Sequence, residues 1–524
     1  MQEKIKQNKT YLGIELGSTR IKACLIDDTF TPIAQGGFDW ENSFVDGYWT
    51  YSIDEIKKGV TSCFQSLKKD VAEKYGVTLS SVGALGISAM MHGYLAFDKD
   101  DNLLVPFRTW RNTSTEKAAE ELSSLFKFKV PQRWSISHLY QAILNGESHV
   151  KDISYITTLS GYVHYLLTGK HELGIGDASG MFPVKDGTYD ADMIEKFTSL
   201  IKKYGFSWDI ASILPEVKIA GEKSAVLSPD GAKFLDPSGD LKAGIPMCAP
   251  EGDAGTGMVA TNSVTKRTGN ISAGTSVFAM LVLEKSLSAY YSEVDMVTTP
   301  YGDDVAMVHC NNCAAELDAW VNTFGEFASL AGANLSKSDL YSLLYKKAME
   351  EDSSVSGITA YNYLSGEHIT GISEGRPMYF RKSDSRLTLG GFMKAQLYSA
   401  FATLKIGMEI LFEKEGVSAD KFLAHGGLFK VQGVAQKILA DALSCPVSVM
   451  ETASEGGAWG MALLSAYMMC GNGKILGEWL ENEVFASMQT QTIAPTEKGI
   501  TEYNEFILSY KQGLGAEKKL EEVK

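Results

Sequence analysis

IPMCAPEGDAGTGMVATNSVTKRTGNISAGTSVFAMLVL, residues 245–283, is the stretch from which the rest of this chain can be read. Residues 245–249 are apolar and strand-like and run into Pro250. Glu251-Gly252-Asp253-Ala254-Gly255 then reads as a turn, and residues 256–260 as a helix of small side chains. Asp253 is thereby held between glycines at a strand end, beside the free N–H groups of a starting helix. A carboxylate so placed can be approached closely by a substrate hydroxyl and can take its proton. Asp is also a preferred helix cap, so this residue alone does not separate a base from a cap.

Residues 269–283 read as strand, tight turn, strand, with the turn at Gly274-Thr275-Ser276. The same pattern stands near the start of the chain, where Ile14-Glu15-Leu16 leads into Gly17-Ser18-Thr19 and then Ile21, Ala23, Cys24, Leu25 and Ile26. The copies align when Gly17 is set on Gly274, half a chain away, which is the mark of a duplicated domain. Two such turns, with hydroxyls and backbone N–H groups to offer, point to two phosphate-cradling loops facing one another across a cleft. Two ordinary hairpins would leave the shared spacing unexplained.

A chain of 524 residues, 44% of them hydrophobic, can bury a large core and is expected to form at least two domains. Its longest apolar stretches are broken by Gly and Ser and fall short of a membrane span. The start, MQEKIKQNKT, lacks the apolar centre of a secretory signal, so cytoplasmic residence is expected. Seven cysteines scattered over so long a chain agree with a reducing compartment. A formal charge of −15 disfavours nucleic acid or an anionic membrane as partner. It does not disfavour ATP brought in with Mg²⁺, which needs only local donors and a few carboxylates.

Ser52 and Glu55 make a capping box, followed by Ile56, Val60, Phe64, Leu67 and Val71 at helical spacing up to Gly76. Residues 82–88 read as a strand, with Met90, Met91, His92 and Gly93 on a loop at its carboxyl end, where open α/β sheets bind ligands. Helices are expected at 157–168, ending at Gly169, and at 314–330, 393–412, 432–443 and 502–510, the last followed by a solvated charged tail. Strands are expected at 422–424 and 447–450, and Glu455-Gly456-Gly457 is expected to open a core helix through residue 469. His309-Cys310-Asn311-Asn312-Cys313 lacks the second ligand pair a zinc site needs.

On these residues the chain resembles the FGGY carbohydrate kinases, most closely their xylulokinase-like branch, over roughly residues 11–467. The resemblance implies an α/β fold of duplicated actin-like (ribonuclease H-like) domains with a cleft between them. Residues 1–261 would form the sugar-binding, catalytic domain and 262–524 the nucleotide-binding one. It implies ATP-dependent phosphorylation of a sugar hydroxyl, most of all of a ketopentose such as xylulose or a related ketose or polyol, with Asp253 as general base. Met91 and His92 match a Met-His-Gly segment that lines the sugar pocket, and Asp177 falls in a matching Asp-Ala-Ser-Gly segment. Trp110, Asn112 and Gly252 are the further sugar-contact candidates. Gly17, Ser18, Thr19, Gly274, Thr275, Ser276, Gly426, Gly427 and Lys430 are the candidates for ATP, and Glu15 for Mg²⁺, through water. The expected partners are the sugar and ATP, with a homodimer as the candidate assembly.

The chain departs from the family's pattern at four positions. Glu15 and Asn112 stand where Asp is common, Ser114 where Arg is common, and Ala254 where xylulokinases carry Asn. The extra methylene of Glu15 moves its carboxylate by about 1.5 Å. The amide missing at Ala254 removes a polar contact of the kind that discriminates strongly between sugars. These departures keep open a sugar- or nucleotide-binding regulator on the same fold, against which Asp253 argues. An actin-like or chaperone ATPase would be expected to show polymer contacts or a peptide-binding domain, and no such domain is apparent in residues 1–524.

Overall fold

The computed structural model describes residues 1–351, 357–450, 456–488 and 490–523; Glu455, expected to open a helix, lies outside them. The chain divides into two compact units. One comprises Met1–Thr265 with Asp295–Val305 and Thr452–Met488, the other Lys266–Val294, Ala306–Glu451 and Gln489–Lys524.

The first unit is built on a five-stranded sheet ordered Glu251–Gly252, Ala84–Ala89, Thr10–Leu16, Arg20–Asp27, Pro32–Asp39. The last three form the expected antiparallel meander, and Ala84–Ala89 joins Thr10–Leu16 in parallel. In the second unit the strands run Val447–Met450, Lys421–His425, Thr268–Ala273, Val277–Val282, Asp304–Cys310 in the same connectivity. There too an antiparallel hairpin is followed by two parallel strands, with Thr490–Ile493 added antiparallel beyond them. The periodicity shared by residues 14–26 and 271–282 is thus the opening hairpin of two sheets wound alike.

The expected capping box is present: Ser52 Oγ accepts the Glu55 N–H, and the Glu55 carboxylate accepts the Ser52 N–H. The helix Ile53–Tyr75 ends on Gly76 in the left-handed conformation. The helix Leu159–Thr168 likewise ends on left-handed Gly169.

Three expectations are corrected. The strand expected at 245–249 is no strand but two isolated bridges, Met247 to Leu85 and Pro246 to Val226, because Pro246 and Pro250 have no N–H to give a continuous ladder. The pairing falls instead on Glu251–Gly252, read as turn, and the helix Asp253–Ala260 follows at once. The helix expected at 393–412 is two, Leu389–Ser399 and Ala402–Glu409, followed by a wide turn over Ile410–Lys414. At the break the Tyr398 carbonyl accepts the Tyr503 hydroxyl, a side-chain insertion of the kind that kinks helices. The tail is one helix, Glu497–Leu520, longer than the expected 502–510; its charged end is largely exposed as expected, except for Glu517, which is buried and accepts the Arg376 N–H.

One charged anchor of the first unit lends itself to a test. The buried Asp236 carboxylate accepts hydrogen bonds from Lys68 Nζ, Gln65 Nε2, Ser238 Oγ and the Leu241 N–H. Burial alone would raise its pKa, but these donors, Lys68 foremost, hold it well below the usual carboxylate range. A depressed carboxylate stabilises the fold above its unfolded pKa near 4 and loses that contribution as pH falls through the folded value. Lys68 keeps Asp240 as a second partner, so Asp236→Asn is expected to cost about 2 kcal/mol at pH 6. Urea unfolding of the two proteins should show that gap narrowing by pH 3; a gap constant with pH would remove the charge from the account.

Candidate active site

In the first unit Glu15, Met91, His92, Gly252 and Asp253 lie at the carboxyl ends of three neighbouring parallel strands. Leu16 is in register with Ala89, and Ala89 with Gly252, so Glu15, residues 90–93 and Asp253 leave the sheet at one edge. Asp253 opens its helix, where the free amides favour a carboxylate. Its Oδ1 accepts the Met91 N–H at 3.2 Å. Burial pushes its pKa up to about 6 against the pull of the Met91 and Ala254 amides. It is therefore mostly ionised at neutral pH yet basic enough to hold a proton.

Glu15 is the neighbouring carboxyl. Burial, then the charge of Asp253, push it up to about 7, while Lys22 and the Ala458 N–H act the other way. It sits over Gly457, where a methyl group would stand 2.9 Å from the Glu15 carboxyl carbon and 2.8 Å from Thr256 Oγ1. Thr256 Oγ1 in turn lies 3.1 Å from Ser88 Oγ. The two coupled carboxylates leave a deficit of positive charge that a divalent cation would fill, so these residues fit Mg²⁺ held by one or two carboxylates and completed by phosphate and water. Among the described residues no group of three or more His, Cys, Asp or Glu could hold a metal by itself, and Cys310 and Cys313 are buried free thiols.

His92 is buried at the end of its strand with φ of +70°, a conformation forced by the sharp exit of the chain. Its Nδ1 lies 3.0 Å from the Gly180 carbonyl, which can only accept, so Nδ1 carries the proton and Nε2 is the acceptor. Burial, with Arg133 nearby, lowers its pKa to about 3, so the ring is neutral. A side chain at Gly252 would begin 2.9 Å from Met91 Sδ and would force the Met91 side chain to move.

Asp177 lies on the one-turn helix Ile175–Ala178 and is fully buried. Its Oδ2 accepts the Thr158 and Ser160 hydroxyls, while Oδ1 has no partner among the described residues. Burial raises its pKa to about 6.

Trp110 stands 40% exposed, on the surface rather than in a core. The amide of Asn112 is taken up by the backbone of Trp49 on both sides, at 2.8 and 2.9 Å, and by the Thr109 carbonyl. It thereby ties down the hairpin formed by Ser43–Val45 and Tyr48–Thr50.

The turn of Gly17, Ser18 and Thr19 is held from behind. Trp40 Nε1 donates to the Gly17 carbonyl and the Tyr51 hydroxyl to that of Ser18, their rings stacked 4.1 Å apart. In the second unit, the turn of Gly274, Thr275 and Ser276 is braced by the Cys313 and Ala314 N–H groups, which donate to the Thr275 and Gly274 carbonyls. Ser272 is in register with His425, so Gly426, Gly427 and Lys430 follow at the same sheet edge as that turn. Gly426 has φ of +111° and leaves no room for a side chain against Ala273.

Glu251, Thr256 and the pair Trp40–Tyr51 were missed by sequence reasoning. Glu251 had no local signal, since its role depends on the distant segment 174–177 that folds against it.

Residues 10–260 match the N-terminal domain and residues 269–469 the C-terminal domain of the FGGY family of carbohydrate kinases. The xylulose kinase of Haemophilus influenzae is 21% identical over 463 residues, covering 86% of this chain and 89% of its own. Among solved structures, the xylulose kinase of Rhodospirillum rubrum superposes with a TM-score of 0.78 at 17% identity, covering 97% of this chain and 98% of that one. The gluconate kinase of Lactobacillus acidophilus gives 0.75 at 14% identity, with the same coverage. At such identities the superpositions speak for the fold. No helix among the described residues is long and apolar enough to cross a membrane.

Proposed function

We propose, for a chain that belongs to the FGGY family of carbohydrate kinases, that it transfers the γ-phosphoryl group of ATP to a hydroxyl of a ketopentose such as xylulose, or of a related ketose or polyol. The observation that carries the reading is Asp253, a carboxylate on a helix start, oriented by the Met91 N–H and poised near neutral pH. The curated xylulose kinase that resembles most of the chain favours the pentulose.

In this reading Asp253 takes the proton of the attacking hydroxyl. His92 accepts a second hydroxyl through Nε2, Asp177 accepts a third through Oδ1, and Met91 and Gly252 shape the floor. Trp110 and Asn112 act through the surface they build, Asn112 by fixing the hairpin of Trp49. Gly17, Ser18 and Thr19 in the first unit, and Gly274, Thr275, Ser276, Gly426, Gly427 and Lys430 in the second, are assigned to the nucleotide. The catalytic and sugar-binding part is thus assigned to residues 1–261 and the nucleotide-binding part to 262–524. Glu15, with Asp253 beside it, would hold Mg²⁺, which neutralises phosphate oxygens when bound.

ADP release with Mg²⁺ and ATP, measured across pentuloses, hexuloses, aldoses, polyols and gluconate against a control without sugar, tests this. The expected result is strong stimulation by a ketopentose or pentitol and none by gluconate, whose charge would meet Asp177 and Asp253. No stimulation by any neutral sugar would remove the proposal in favour of a binding regulator.

A further inference from the structure

We propose that Glu251 is a positioning residue for the sugar, holding Asp177 where its free oxygen meets a substrate hydroxyl. The inference rests on the assignment of Asp177 to the sugar made above.

Glu251 is buried on the two-residue strand that ends just before Asp253. Its Oε1 accepts the Asp177 N–H at 3.1 Å, and the amides of Gly176 and Gly252 also point to its carboxyl. The segment Gly174-Ile175-Gly176-Asp177 is folded around that carboxyl. A side chain on Gly176 would begin 2.6 Å from Oε1 and 2.7 Å from Oε2, and one on Gly174 would begin 2.6 Å from Oε1. The two glycines are therefore the space that Glu251 occupies.

The helix that carries Asp177 has four residues, too few to hold its own direction, because a single turn forms only one or two internal bonds for the dihedrals it fixes. Its orientation must come from outside, and Glu251 supplies it at the first turn. Asp177 is held a second time through Oδ2, by Thr158 and Ser160. With both its backbone and one oxygen fixed, Oδ1 is left without a partner among the described residues, 3.4 Å from where a Gly252 side chain would start. A buried acceptor left unmade is costly, and a donor such as a sugar hydroxyl restores it. Glu251 thus belongs to the recognition of a polyhydroxy substrate, one residue removed from it. Gln has the same length and keeps an oxygen where Oε1 accepts the Asp177 N–H, so it is the conservative variant at this position.

The test is steady-state kinetics of the full chain with D-xylulose and with the sugar that stimulates most, alongside melting curves. Glu251→Ala is expected to raise the sugar KM at least tenfold, with the ATP KM within twofold, and Asp177→Asn to do the same. Glu251→Gln, which keeps an acceptor for the amides, is expected within threefold of the wild type. A sugar KM unchanged in Glu251→Ala overturns the assignment and leaves the kinase reading intact. Equal rises in both KM values, or a Gln variant as impaired as Ala, mark a merely structural Glu251 and overturn it as well. Should Glu251→Ala not fold, Gly176→Ala carries the test, since its methyl displaces the carboxyl and should raise the sugar KM selectively; an unchanged value overturns the proposal. Wild-type protein that turns over no sugar removes both readings together.

Discussion

Asp253→Asn is expected to lower kcat with the best sugar about a thousandfold while leaving both KM values within a few-fold. General-base catalysis contributes about 10²–10⁴ in rate, and a thousandfold loss corresponds to about 4 kcal/mol of transition-state stabilisation. Asn keeps the oxygen that accepts the Met91 N–H, so the loop of residues 90–93 stays in place. What is lost is the capacity to hold the proton. The variant should melt at or above the wild type, because Asp253 is a carboxylate whose charge opposes those of Glu15 and Asp177. Removing a charge that the fold tolerates only for function is the usual stability–activity exchange. Retention of more than a tenth of wild-type kcat would take Asp253 out of the role of base.

Gly460→Ala is expected to destabilise the first unit by about 3–4 kcal/mol, against the sign that helix propensity alone assigns. Gly460 lies inside the helix Gly456–Cys470, where Ala is intrinsically better by about 1 kcal/mol. A methyl there would stand 2.8 Å from the Thr256 carbonyl carbon and closer still to its oxygen. That oxygen is backbone of the helix Asp253–Ala260 and cannot rotate away. The helix Gly456–Cys470 also meets the strand Thr10–Leu16 through Gly13, where a side chain would begin 2.9 Å from the Met461 carbonyl carbon. With backbone on both sides, no side chain can yield, and the cost should exceed the ~1–3 kcal/mol usual for overpacking. A fall of roughly 10 °C in melting temperature is the measurement, at about 2–4 °C per kcal/mol for a unit of this size. Gly257→Ala is the control, since its added methyl meets nothing within 4 Å, and it should melt at or above the wild type. A Gly460→Ala protein as stable as that control would show that the two helices can separate freely. The first outcome also predicts lost turnover, because the displaced helix begins at Asp253.

The elements legible beforehand are those whose cause is local. The hairpins over residues 14–26 and 268–282 follow from alternation on either side of a small-residue turn. The helix from Ile53 follows from a capping box and a 3.6-residue period, and its end from a glycine able to turn left-handed. Misread elements depend on partners far away in the chain. Glu251–Gly252 is a strand only because Ser88 and Ala89 are beside it. Glu517 looks like part of a charged, solvated tail until the Arg376 amide is brought against it. The helix break near Ala400 needs Tyr503, a hundred residues on, to be seen.

By itself the sequence determined the two alike sheets, the kinase family and the base candidate, because each rests on short-range pattern: residue period, turn chemistry, and an acid between glycines. Tertiary structure alone decided how charge is shared among Glu15, Asp253, Asp177 and Glu251. Their coupling depends on burial and distance between strands and helices separated by up to hundreds of residues, neither of which has a local signature. It alone decided that Asn112 spends its amide on Trp49, and that Gly174 and Gly176 are glycines because a carboxyl fills the space beside them.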